Sequence, residues 1–462
     1  MSAPTSPLHP PADGAPRDPV APHPGIDAAM IAAHLERARA RTLDLLDLLD
    51  EDDQRAQHSP LMSPMVWDLA HIGNYEELWL LRGLDGRAPI DAELDHLYNA
   101  FEHPRWTRPD LPVLGPAEAR RYLAEVRSEV LALLDRTDLS PTNPDPLLAN
   151  GFVYGMVIQH EHQHDETLLA AHQLRLDRAV PPPGSSPAPA RSPAEVASIP
   201  ASRTIDAGPV TIGAQHEPWT YDNEHGAHVV ELPEFRIDTF PVTNRRYLEF
   251  IEDRGYHDHR LWSGAGYAWR FEAALEHPEF WRQEDDGRWT IQRFGERLDL
   301  ADHLDEPVQH VCWHEADAFA RWAGKRLPTE PEWEKAAQGA AGPAAGAVGL
   351  GSSVEAAGGN LGQRHAGPAA VGSYPEHASA WGVHQMIGDV WEWTSSTFTP
   401  HPGFRSFPYA EYSDVFWGDE HHVLKGGSWA TDPTAVRVSF RNWDYPIRRQ
   451  IFAGFRCAED GS

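Results

Sequence analysis

The sequence predicts a two-part chain, an α-helical bundle followed by a loop-rich α+β domain. Three observations carry this. Four stretches before residue 180 repeat their apolar residues with a helical period, and a Pro/Ser/Ala-rich span interrupts the chain at 179–203. Beyond it the helical period mostly disappears, short apolar runs alternate with Gly, Pro and Asp, and 14 of the 17 tryptophans accumulate.

Residues 1–25 are rich in Pro, Ala and Ser and are expected to be a disordered tail. The helical half is expected over 26–178, with helices at 27–49, 63–82, 116–136 and 151–176. Ser63 as N-cap with Pro64 at the first helical position fits the second helix start. Four amphipathic helices suggest a four-helix bundle, where metal sites are built from inward-facing side chains. The span 179–203 reads as a linker and 204–462 as the second domain, in which indoles support long irregular connections. Within it, the Gly/Ala-rich stretch at 338–370 reads as a surface insertion with no chemistry assigned.

Composition narrows the function. With 462 residues and a formal charge of -30, the chain lacks the basic footprint of a nucleic-acid binder. A small anionic substrate would need local arginines. No run of 18 apolar residues exists, so no membrane partner is expected. The N-terminal stretch has no signal-peptide core, and the two cysteines, Cys312 and Cys457, make no disulfide framework. A cytoplasmic location is expected.

The stretch "IQHEHQHDETLLAAHQLRL", residues 158–176, carries the chemistry. On a helix, residues four apart differ by about 40° around the axis, so His160 and His164 can share one metal while His162 faces away. Gln163 lies near the same face and can touch a substrate beside the metal. His71, within "VWDLAHIGNYEELW" on the second helix, is the candidate third ligand. Three imidazoles suit zinc, iron, copper and nickel alike. His160-Glu161-x-x-His164 also matches the zinc-hydrolase pattern, in which Glu161 would be the general base. That reading lacks an obvious downstream ligand, since the helix runs into the proline-rich span.

The second half carries "FPVTNRRYLEFI" at 240–251, "EPVQHVCWHEADAFARWAGKRLPTEPEWEKAA" at 306–337, "GVHQMIGDVWEWT" at 382–394, "VLKGGSWA" at 423–430 and "GFRCAED" at 454–460. Together these resemble the formylglycine-generating-enzyme type of C-type-lectin-like domain. That enzyme's chemistry relies on a cysteine pair, and no cysteine follows the "GGSW" phrase in "ATDPTAVRVSFRNW". Over residues 26–460 the chain resembles instead the iron-dependent sulfoxide synthases of ergothioneine biosynthesis, the hercynine oxygenases, which join a DinB-like bundle to such a domain. The matching phrases are "SPLMSPMVWDLAHIGNYEELWL", "FEHPRWTRPDLP", "QHEHQHDETLLA" and "SFRNWDYPIRRQIFAGFR".

This resemblance implies Fe(II) held by His71, His160 and His164, and hercynine, γ-glutamylcysteine and O2 as small-molecule substrates, with free cysteine as the alternative donor. It implies a hercynine site at Gln163, Asn442 and Trp443; amides can orient an imidazole, and an aromatic face suits a trimethylammonium group. Arg105, Arg108 and Arg448 match the positions that contact the donor's carboxylates, and Asp444 can pair with its ammonium. Tyr409 matches the active-site acid and Tyr412 a neighbouring substrate contact; these two could be exchanged. The site is expected between the two domains, in a monomer.

Overall fold

In the computed structural model, Asp27 opens the helical half: its side chain accepts from the Met30 N–H at 2.8 Å and caps α1 (Ala28–Leu46). Residues 26–175, 186, 188–189, 193–214, 217–338 and 358–461 are described. The expected N-terminal tail, the first part of the expected linker and the centre of the Gly/Ala-rich stretch lie outside them.

By its contacts the chain divides into two units. One comprises Met1–Pro183 with His216–Tyr221 and Ser406–Ala410; the other comprises Gly184–Gln215, Asp222–Arg405 and Glu411–Ser462. The first holds α1, a short α2 (Glu51–Arg55), α3 (Met65–Glu76), a short α4 (Glu93–Leu97), α5 (Pro116–Leu134) and α6 (Phe152–Gln173). The four long helices of the sequence reading are α1, α3, α5 and α6. α1 buries Ile31, Leu35, Ala38, Thr42 and Leu45, one stripe at helical spacing, and packs on α6. α3 packs on both α5 and α6, and Gly73 permits the close approach: a Cβ there would come within 2.6 Å of Leu123.

Two details correct the expected second helix. Ser63 does not cap it, because its hydroxyl accepts from Arg108 Nη1 at 2.6 Å; Pro64 takes the N-cap position without a side-chain bond, and the helix begins at Met65. The α-helix also stops at Glu76 and continues as a π-helical turn over Glu77–Arg82, closed by Gly83 N–H donating to Leu78 O.

The bundle interior is not purely apolar. Arg39, Glu76, Arg127 and Glu161, one from each long helix, form a closed ring of buried ion pairs at 2.6–3.0 Å. Each carboxylate takes bonds from both guanidiniums, so both charges are compensated. The late segment around Trp219 joins this unit too. Its indole fills the space beside Gly155, donates to Asn150 O at 2.8 Å, and its carbonyl accepts from Gln159 at 2.9 Å.

The second unit contains α7 (Pro193–Ala197), α8 (Asn244–Glu252), α9 (Gly264–Glu272), α10 (Trp313–Trp322) and α11 (Glu330–Ala337). α7 and the start of β1 fall inside the span read as linker. Among the described residues its strands form four small sheets. β1 (Ser202–Ile205), β4 (Phe235–Asp238) and β12 (Ala458–Asp460) make one, ordered β1-β4-β12, and β2 (Gly208–Ile212) pairs with β3 (His228–Leu232). β5 (Trp281–Gln283), β6 (Trp289–Arg293) and β7 (Glu296–Asp299) form an antiparallel meander. β8 (Trp391–Thr397), β9 (His422–Lys425), β10 (Asn442–Asp444) and β11 (Ala453–Gly454) are ordered β10-β9-β8-β11. The loop-rich α+β class is as expected, and the tryptophans fasten loops: Trp393 donates to Val311 O at 2.9 Å and Trp313 to Thr394 O at 2.8 Å.

Candidate metal centre and substrate residues

Helices α3 and α6 bring His71, His160 and His164 together, with one donor atom of each within 4.8 Å of the others. His71 Nδ1 lies 2.8 Å from the Tyr98 carbonyl just past α4. A carbonyl only accepts, so Nδ1 carries the proton and Nε2 is the nitrogen left for a metal. His164 Nδ1 sits 3.1 Å from Asp68 Oδ1, which orients that ring in the same way. The Tyr75 ring stacks on His160 at 3.7 Å and 11°, and Trp67 stacks on His71 at 4.8 Å and 12°.

The electrostatics favour neutral imidazoles at His71 and His160. Burial, reinforced by the neighbouring His164, pulls His71 down to about 3, and the same two effects hold His160 well below its ordinary value. Deprotonated imidazole is the form that ligates metal. For Asp68, burial pushes upward, but the His164 hydrogen bond and the charges of His164, Arg108 and Arg105 outweigh it and keep the carboxylate ionised. This donor set therefore fits a metal ion held by three nitrogens.

His162 turns away, as the helical spacing requires; its Nδ1 pairs with Asp165 Oδ2 at 3.0 Å. Glu161 also faces away, into the buried ring, where Arg39 and Arg127 hold its carboxyl low against the burial that raises it. A carboxylate doubly paired behind the ligand helix cannot serve as the base of an H-E-x-x-H hydrolase, which must face a metal-bound water.

Of the other expected residues, Tyr409 lies in the same unit through the segment Ser406–Ala410. Its hydroxyl is 3.1 Å from that of Tyr75, and its ring centroid is 5.2 Å from Trp79. Gln163 is partly exposed on α6 between the two ligands. Arg105 and Arg108 sit on a 3-10 turn, Arg105–Asp110. Arg105 Nη1 donates to Leu61 O at 2.9 Å. Arg108 is buried and donates to Ser63 Oγ and His103 O, its guanidinium 3.6 Å above the Trp67 ring. Burial lowers it to about 10 against the pull of Asp68, so it stays charged at neutral pH.

In the second unit, Asn442, Trp443 and Asp444 are consecutive on β10, and Trp443 pairs in register with Val423 of β9. Trp443 stacks on Phe398 at 4.1 Å and 9°, and Tyr412 meets it edge-on at 5.8 Å. Asn442 Oδ1 accepts from the Trp443 N–H, and Asp444 Oδ1 lies 3.4 Å from Arg448 Nε. The structure thus groups His71, His160, His164, Gln163, Arg105, Arg108 and Tyr409 in one unit, and Tyr412, Asn442, Trp443, Asp444 and Arg448 in the other. Sequence reasoning missed Asp68, Trp67 and Tyr75. Their spacing from His71 on one helix was the available signal.

A three-histidine centre in a helical bundle, followed by a separate loop-rich α+β unit, defines a two-domain protein with a candidate metal centre in its first half. The sequence pattern of the DinB superfamily matches residues 34–168, and that of the sulfatase-modifying factor enzyme 1-like domain matches residues 187–461. The hercynine oxygenase of Mycolicibacterium thermoresistibile is 49% identical over 94% of this chain and 95% of its own length. That of Mycobacterium tuberculosis is 48% identical over 93% of this chain and 98% of its own. The formylglycine-generating enzyme of Streptomyces coelicolor is 32% identical over 53% of this chain and 84% of its own length. The chain belongs to the hercynine oxygenase family and is an oxygenase.

Proposed function

We propose that the protein joins the thiol of γ-glutamylcysteine to C2 of the hercynine imidazole, giving the sulfoxide, with Fe(II) as its metal and O2 as oxidant. The reaction balances: the thiol hydrogen and the C2 hydrogen leave with one oxygen atom as water, and the other oxygen atom remains on sulfur. The observation that carries the reading is the convergence of three imidazoles, His71, His160 and His164, with burial holding His71 and His160 in the neutral, metal-ligating form. When bound, Fe(II) supplies redox chemistry and open coordination positions that a four-ligand structural site lacks.

The chain's own residues bind, orient and protonate. Gln163 and Asn442 hold the substrate imidazole through amide hydrogen bonds, and the Trp443 face receives the trimethylammonium group. Arg105, Arg108 and Arg448 take the donor's carboxylates, and Asp444 its ammonium. Tyr409 holds the proton needed as oxygen is reduced, a phenol being protonated at neutral pH. Its hydrogen-bonding contact with Tyr75, whose ring lies on His160, supports giving Tyr409 rather than Tyr412 this role.

The test is anaerobic incubation with Fe(II), hercynine and γ-glutamylcysteine, then admission of O2 and mass spectrometry. The expected product has the mass of both substrates plus one oxygen and minus two hydrogens. Running free cysteine in parallel decides the donor. No oxygen uptake with either thiol would overturn the reading.

A further inference from the structure

Tyr75 lies outside every role assigned above, yet it touches two of the groups those roles depend on. It is four residues after His71, so α3 presents both side chains on one face. Its ring lies parallel to the His160 imidazole at 3.7 Å, and its hydroxyl is 3.1 Å from that of Tyr409. His71 and His164 are each turned by an acceptor at Nδ1, the Tyr98 carbonyl and the Asp68 carboxylate. For His160 the orienting neighbour is the Tyr75 ring.

The local backbone suits this. Tyr75 is the penultimate residue of α3, directly before the π-helical turn that carries Trp79. Tyr75 and Trp79 lie 6.2 Å apart, centroid to centroid, and both rings contact Tyr409. π-Helical turns inside α-helices recur at functional sites. Here the turn and the helix end form two aromatic walls for Tyr409.

We propose that Tyr75 is a positioning residue: its ring sets the plane of His160, and its hydroxyl holds the hydroxyl of Tyr409 at a fixed place. The second half rests on Tyr409 being the proton donor. The first half does not.

Four variants separate the halves. Tyr75→Phe keeps the stack and removes the hydroxyl; Tyr75→Leu removes both, with Tyr75→Met as its replacement if the helical circular dichroism of the leucine variant is lost. Tyr409→Phe and the Tyr75→Phe/Tyr409→Phe double variant complete the set. Anaerobic titration with Co(II) alone reads the ring: Tyr75→Leu should weaken binding about tenfold and alter the visible Co(II) spectrum, while Tyr75→Phe should leave both unchanged. Unchanged affinity and spectrum in Tyr75→Leu would overturn the ring half.

With Fe(II), both substrates and O2, the ratio of sulfoxide to oxidised thiol reads the hydroxyl. Tyr75→Phe should lower it roughly fivefold, the effect of one lost hydrogen bond. Tyr409→Phe should lower it further, and the double variant should match Tyr409→Phe alone. A normal ratio in Tyr75→Phe beside a diverted one in Tyr409→Phe overturns the hydroxyl half only. A normal ratio in Tyr409→Phe overturns the assignment of Tyr409 itself and the hydroxyl half with it; the Co(II) titration still decides the ring.

Discussion

Asp68 Oδ1 and His164 Nδ1 meet at 3.1 Å, a contact that ties α3 to the ligand helix and turns His164 Nε2 toward its two partners. Both ends of the metal centre are thereby fixed from one helix, since α3 carries His71 as well. Outer-shell partners of this kind raise ligand basicity and restrict ring rotation. Asp68→Ala should weaken metal binding roughly ten- to hundredfold, measured by anaerobic titration. Asp68→Asn, which can still accept from Nδ1–H, should lose less. Equal affinity in Asp68→Ala and the unsubstituted protein would show that His164 is oriented by packing alone.

The ring of Arg39, Glu76, Arg127 and Glu161 makes a different prediction for the glutamate beside His160. Removing one partner from a buried, doubly paired set leaves an uncompensated charge, which costs about 3–5 kcal/mol. Glu161→Gln should therefore shift the urea midpoint of the helical unit downward while the folded fraction still forms the sulfoxide. A hydrolase would respond the other way, losing turnover with little change in stability.

His172 gives the helical unit an acid sensitivity. It is buried near the end of α6 with Nε2 3.0 Å from Leu45 O, and burial lowers it to about 4. An unfolded histidine titrates near 6.5. The unfolded chain therefore binds the proton first as pH falls, so stability is full above about 6.5 and is lost progressively as pH falls through 4. The shift corresponds to roughly 3 kcal/mol. His172→Gln should flatten the stability profile of the helical unit between these limits, followed by denaturant titration at several pH values. An unchanged profile would assign the acid sensitivity to other groups.

The features legible in the sequence are those with a period or a phrase. The four long helices follow from apolar spacing, and the 160/164 pair follows from the 100° step of a helix. His162 could be set aside on the same ground. What was not legible depends on side chains meeting across sequence distance. Nothing local to Ser63 shows that Arg108, 45 residues on, draws its hydroxyl away from the helix start. The change from α to π winding at Glu77 leaves the apolar pattern of "ELWLLR" intact. The buried ion-pair ring takes one residue from each helix, and each alone reads as a surface charge. The membership of residues 216–221 and 406–410 in the helical unit likewise has no sequence signature.

The pair Asp444 and Arg448 gives the last prediction, which concerns the sulfur donor. Their atoms are 3.4 Å apart, four residues apart in sequence, and each side chain is 23% exposed. A partly exposed pair joined by one long contact contributes on the order of 0–1 kcal/mol, so exchanging its partners for others is inexpensive. A donor carrying both a carboxylate and an ammonium group offers the complementary exchange: its carboxylate replaces Asp444 at the guanidinium, and its ammonium replaces Arg448 at the carboxylate. Charge-assisted hydrogen bonds of this type are worth about 1.5–3 kcal/mol. Arg448→Ala should therefore raise the KM for γ-glutamylcysteine roughly ten- to hundredfold and leave that for hercynine within about twofold. Arg105→Ala should instead narrow the preference for γ-glutamylcysteine over free cysteine, because its loss affects only the longer donor. If Arg448→Ala raised the hercynine KM as much as the thiol KM, the role of Arg448 would be to support β10, and the donor's carboxylate would have to be held elsewhere.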